Sequence, residues 1–111
     1  MRILLAEAHD SCRDHLAEAL SRFGTVVAVS NGFEVLAAFE AADAQGLGFD
    51  LVLLDLAMAG CDGITAARAL RDTYRHVPPL WGVSFDRRGL GPFDRMVRRD
   101  EVGHQVRRRA A

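Results

Sequence analysis

The 111-residue chain is half hydrophobic and about a quarter charged. That composition predicts one globular domain over residues 1–111 and excludes a disordered or fibrous chain. No stretch approaches the ~20 apolar residues of a membrane span, and Glu7 interrupts the apolar start too early for a signal peptide. Two cysteines, Cys12 and Cys61, suit the free thiols of a cytoplasmic protein better than a disulfide framework. Net charge is −1 but unevenly spread. Residues 1–55 hold nine acids and three arginines, residues 56–111 six acids and eleven arginines, and no lysine occurs anywhere.

In chain order, RILLA (2–6) is an apolar run long enough for a buried strand and too short for a helix. Asp10 or Ser11 is then expected to cap a helix on which Cys12, Leu16, Ala19, Leu20 and Phe23 recur at helical spacing, with Gly24 as its stop. TVVAV (25–29) is β-branched and reads as a strand. Asn31 with Glu34 three residues on resembles a capping box and opens a helix to about Gln45. FDLVLLD (49–55) is the next strand, and its unbroken apolar core predicts burial on both faces, as in a parallel sheet. After the loop AMAGCDG comes the helix ITAARALRDTY, then a strand LWGVS (80–84) and a weaker one around RMV (95–97). Residues 100–109 read as a final helix, with Asp100 and Glu101 at its start and Arg107 to Arg109 at its end, matching the helix dipole.

Strand–helix alternation at this density predicts an α/β fold, a doubly wound parallel sheet with helices on both faces. Such sheets place their sites at the carboxyl ends of the strands. Glu7 follows the first strand, Asp55 ends the third and Ser84 ends the fourth. If those strands are neighbours, the three side chains converge. ILLAEAH, CRDHLAEAL, NGFEVL, FDLVLLDLAMAGCDG and PPLWGVS together make the chain similar to the receiver domain of bacterial two-component response regulators, over nearly its whole length. The most specific piece is the third strand with its terminal acid, short loop and Asp-Gly pair.

The resemblance implies a flavodoxin-like, five-stranded sheet in the order 2-1-3-4-5. It implies a signalling module rather than an enzyme, and Asp55 as phosphoacceptor from a sensor histidine kinase or phosphotransfer protein. It implies Mg²⁺ held by an acidic pair after the first strand, by Asp55 and by the backbone carbonyl of Ala57, with Ser84 as the switch hydroxyl. The family's lysine after the fifth strand falls on Arg98, and the proline that follows it on Arg99. Glu7 matches one member of the acidic pair, but the direct metal ligand falls on Ala8, which cannot coordinate. The metal site is therefore expected to be weak or absent, and phosphorylation weak. Asp10 would reach the metal at best through water. Arg98 keeps the charge of lysine in a planar fork. Arg99 is expected to follow a trans peptide bond, since cis costs a non-proline residue ~2.5–4 kcal/mol.

For three positions a plainer role stands beside the one implied. Glu7 could cap the first helix, Ser84 could merely end a strand, and Arg98 could be a solvated arginine. The alternative function is a phosphorylation-independent interaction module; a flavodoxin-like cofactor binder has only fold analogy behind it. Residues 85–92 carry Gly89, Gly91 and Pro92, so the helix between the fourth and fifth strands is expected to be shortened or missing. An apolar surface over Leu80, Trp81, Gly82 and Val83 would then lie uncovered, with a homodimer as the first expected assembly. No membrane partner is expected. The arginine-rich stretch from Arg87 onward lacks interleaved aromatics or a reading motif, so nucleic acid is not expected either.

Overall fold

A computed structural model describes residues 1–58, 60–84 and 92–111. The strands are β1 (Arg2–Ala6), β2 (Thr25–Val29), β3 (Leu51–Asp55), β4 (Leu80–Ser84) and β5 (Arg95–Arg98). The helices are α1 (Asp10–Leu20), α2 (Gly32–Ala44), α3 (Gly63–Thr73) and α4 (Val102–Ala110). Short 3₁₀ turns follow α1 at Ser21–Phe23 and precede α4 at Arg99–Glu101. The strands form one parallel sheet in the order β2-β1-β3-β4-β5, as the resemblance implies.

All five residues of β3 are buried, because this strand is central and both its faces are covered. On one face Leu4, Val52, Leu54 and Leu80 pack with Val35 and Phe39 of α2 and Ala66 and Leu70 of α3. On the other, Ile3, Leu5, Leu53 and Val83 pack with Leu16 and Leu20 of α1 and Val102 and Val106 of α4. Each fully buried leucine or valine contributes about 1.5–3 kcal/mol of transfer free energy.

Local signals explain the helix starts unevenly. Asn31 Oδ1 accepts from the Glu34 N–H at 2.9 Å and caps α2, while Glu34 Oε1 reaches one residue further back, to the Ser30 N–H at 3.0 Å, so only the first half of the expected capping box forms. The expected cap at Asp10 or Ser11 does not. The N-cap of α1 is His9, without a side-chain bond, and Asp10 instead pairs with Arg13 at 2.6 Å. Gly24 ends the first αβ unit with φ 147°, and a Cβ there would lie 1.9 Å from the Met1 carbonyl oxygen.

The shortened or missing helix expected over residues 85–92 is left open, because residues 85–91 lie outside those described. The apolar surface expected above β4 is not exposed. Leu80 and Val83 are buried and Trp81 is only 4% exposed. A Cβ on Gly82 would meet Met96 Sδ at 2.6 Å and Phe93 Cδ2 at 3.0 Å. Phe93 and Met96 thus lie over Gly82, while α4 covers the opposite face. The inferred homodimer loses the uncovered patch on which it rested. Asp94 fixes the approach to β5: its Oδ2 accepts from the Leu80 N–H at 2.7 Å and from Arg71 Nη2 at 3.1 Å. Among the described residues no helix is long and apolar enough to cross a membrane.

Candidate functional site at the carboxyl end of the sheet

β1 and β3 are adjacent, with Ala6 opposite Leu54, so Glu7 and Asp55 emerge side by side. Both are buried: Glu7 is 0% and Asp55 3% exposed. Glu7 Oε1 accepts from the His9 N–H at 3.2 Å. That N–H belongs to the N-cap residue itself, so the bond steadies the entry to α1 and is not a cap of its first turn. Asp55 Oδ1 accepts from the Ala57 N–H at 3.0 Å. Burial, and next the charge of Asp55, push the Glu7 carboxyl above the usual carboxylate range, against the opposite pull of the His9 N–H and Arg99.

The Asp-Gly pair that follows positions the loop. Asp62 Oδ1 accepts from the Thr65 N–H at 2.8 Å and caps α3. Gly63 presses against the site: an added Cβ would lie 2.4 Å from the Asp55 carbonyl oxygen. Gly32 does the same for α2, donating its N–H to the Cys61 carbonyl at 2.9 Å, where a Cβ would lie 2.5 Å from that oxygen. Both helices are therefore seated on the loop that leaves Asp55. Gly63→Ala should destabilise the domain by about 1–3 kcal/mol through overpacking, although alanine is intrinsically the better helix former by ~1 kcal/mol. Urea unfolding gives the sign, and a stabilised variant would show that the close approach is not maintained.

The positive charge comes from a neighbour of the expected residue. Arg98, expected at the lysine position, turns outward and holds Asp100 at 3.2 and 2.7 Å. Its side chain is about half exposed. Arg99, where the family has proline, enters the pocket. Its Nη2 lies 3.0 Å from Glu7 Oε2 and 3.4 Å from Asp55 Oδ2. The Arg98–Arg99 peptide is trans, as expected, since no cis bond occurs among the described residues. Arg98 is extended, its N–H directed at Glu101 Oε1 at 3.3 Å. The backbone then turns, and position 99 faces back over the strand ends. Sequence reading missed this, although Asp100 was a signal: two residues after Arg98, it is a ready local partner that occupies that guanidinium.

Ser84 ends β4 opposite Arg98 of β5, and its neighbour Val83 is opposite Asp55. The topology thus brings Ser84 to the same rim as the carboxylates. Asp10 does not join them, being tied to Arg13, whose Nη1 donates to the Glu7 carbonyl at 3.1 Å.

The donor set does not fit a divalent cation. Ala8 offers no ligand, and among the described residues no three His, Cys, Asp or Glu side chains gather closely enough to hold a metal ion. The inward oxygens of Glu7 and Asp55 already face a guanidinium.

The comparisons agree with this architecture. The family model of the response regulator receiver domain matches residues 3–87. The receiver domain of the histidine kinase CKI1 from Arabidopsis thaliana, crystallised with Mg²⁺, superposes with a TM-score of 0.79 at 22% identity, over 96% of this chain and 90% of that one. The signal receiver domain of NarL from Mycobacterium tuberculosis gives 0.71 at 24% identity, over 98% and 94%. The beryllofluoride-activated DrrB receiver domain gives 0.76 at 18% identity, over 96% and 94%. A search of curated proteins returned no match. Fold and site define a doubly wound α/β domain with a buried carboxylate pair at its switch point. The chain belongs to the response regulator receiver domain family. The matched stretch ends before β5, so Arg99 lies beyond it.

Proposed function

We propose that the chain is a receiver module of two-component signalling in which Asp55 is the phosphoacceptor and phosphotransfer is slow. It acts as a signalling partner rather than an enzyme, receiving its phosphoryl group from a sensor histidine kinase or phosphotransfer protein. The observation that carries this reading is the placement of Asp55. It ends the central strand of a receiver fold, and its Oδ1 is oriented by the Ala57 N–H at 3.0 Å. In the transfer, an Asp55 oxygen forms a bond to phosphorus, the P–N bond of the donor phosphohistidine breaks, and the imidazole leaves. Charge on the phosphoryl oxygens must be neutralised as the carboxylate approaches. With Ala8 in the ligand position, the metal contribution to that neutralisation is reduced, so transfer is slow. Ser84, on the same rim, is the candidate hydroxyl to meet the phosphoryl group.

One observation favours the second reading, a phosphorylation-independent interaction module. Asp55 is only 3% exposed and Arg99 stands against its free edge. Acetyl phosphate treatment followed by intact-mass analysis separates the two. Slow phosphorylation abolished by Asp55→Asn supports the acceptor reading. No phosphorylation, and no shift of the Asp55 amide with beryllofluoride, supports the interaction module. Phosphorylation that survives Asp55→Asn would mean that the acceptor lies elsewhere.

A further inference from the structure

A carboxylate pair this deeply buried needs a counter-charge, and the chain supplies one of its own. A single nitrogen, Arg99 Nη2, faces Glu7 Oε2 at 3.0 Å and Asp55 Oδ2 at 3.4 Å. The Arg99 side chain is itself 17% exposed, so most of the cation is withdrawn from water. Glu7 Oε2 is buried and accepts no hydrogen bond of good geometry. It therefore meets the guanidinium as charge against charge, as an oxygen meets a metal ion. A cation drawn to these two oxygens would meet this nitrogen already in place.

We propose that Arg99 is a tethered cation that takes the place of the divalent ion, so that the carboxylate charge is partly offset without metal and the ion is excluded. Two substitutions on different elements agree with this. Alanine at position 8 removes one carboxylate from the rim, and arginine at position 99 adds one positive charge. The pocket thus keeps two acids and one cation. The proposal rests on the receiver reading only for naming the displaced ion; the geometry stands without it.

The test is thermal unfolding of the full chain in EDTA and in about 10 mM Mg²⁺, a concentration at which a ligand with submillimolar Kd stabilises measurably. The wild type is expected to shift by less than ~1 °C, because nothing binds. Ala8→Asp/Arg99→Met restores the ligand and removes the tethered charge. It is expected to rise by about 5–10 °C with Mg²⁺. Ala8→Asp alone, with Arg99 still seated, should respond much less than the double variant. A wild type stabilised by Mg²⁺ as strongly as the double variant would overturn the proposal, and so would Ala8→Asp responding as strongly as the double variant. If the double variant does not fold without metal, its recovery by Mg²⁺ but not by Na⁺ of equal ionic strength supports the proposal. Failure to recover with either leaves the wild-type and Ala8→Asp scans to decide. Phosphorylation by acetyl phosphate with and without EDTA reports separately on Asp55. An unreactive Asp55 would refute the acceptor reading and leave the metal scans unaffected.

Discussion

Arg99→Met should cost the domain about 3–5 kcal/mol at neutral pH, the usual penalty for removing one partner of a buried charge pair. Glu7 and Asp55 would remain as two adjacent buried carboxylates without the guanidinium at 3.0 and 3.4 Å. A domain of this size is stable by only ~5–15 kcal/mol, so the melting temperature should fall by roughly 15 °C or more. The loss should depend on pH in a defined direction. The Glu7 carboxyl is already raised above its usual value, by burial first and by Asp55 second, while Arg99 acts to lower it. Removing Arg99 raises it further. Over the interval between the unfolded and folded values the native state then holds the extra proton, so stability falls as pH rises. The variant should therefore approach the wild type below about pH 4 and diverge from it on the way to neutrality, at up to ~1.4 kcal/mol per pH unit. Glu7→Gln in the same background should flatten that slope and recover part of the loss. Urea unfolding between acid and neutral pH measures all three curves. A loss independent of pH, or one that Glu7→Gln deepens, would show that Arg99 acts through packing rather than charge.

Trp81→Ala should be comparably severe, about 3–5 kcal/mol for an aromatic lost from a packed core. Trp81 is 4% exposed and shares its layer with Val83, Val97, Val102 and Val106. The Arg95 guanidinium lies over its ring, 5.3 Å from the centroid. The substitution would leave a cavity where β4 and β5 meet α4. The cost should be the same at low and high protein concentration, which distinguishes a core tryptophan from one closing a dimer interface. A loss that appears only in dilute solution would restore the interface.

The sheet was legible because its signals are local. RILLA, TVVAV and LWGVS each form a strand with the bounds expected from their apolar or β-branched runs. The all-apolar stretch before Asp55 pointed correctly to a strand covered on both faces. The Asn31 cap on the Glu34 N–H was legible for the same reason, since both partners lie within one turn. The start of α1 misled because the helix begins at Asp10 itself, with His9 at the N-cap, and the Asp10 side chain pairs with Arg13 one turn on.

The acidic half of the site was legible too, because strand ends position Glu7 and Asp55. The basic half was not. Which of two adjacent arginines enters a pocket depends on where β5 stops and how the chain turns, and neither is written in residue type. The expected bare surface above β4 failed because cover was counted in helices. Phe93 and Met96 provide it with side chains from the approach to β5 and from β5 itself.

The position of Arg99 also makes the site mechanically dependent on a remote face. Its backbone opens the 3₁₀ turn that leads directly into α4. Val102 and Val106 anchor that helix on the sheet beside Val97. A ligand that lifts α4 therefore pulls, through three residues of turn, on the lever that ends in the carboxylate pocket. By reciprocity, the coupling by which lifting α4 weakens the hold of the guanidinium on Asp55 equals that by which displacing the guanidinium weakens the seat of α4. A dissolved metal ion could depart without moving the backbone at all. A charge bound into the chain leaves only by rotating its own side chain or by moving the turn that opens α4, so the pocket and the seat of the last helix share one short stretch of backbone.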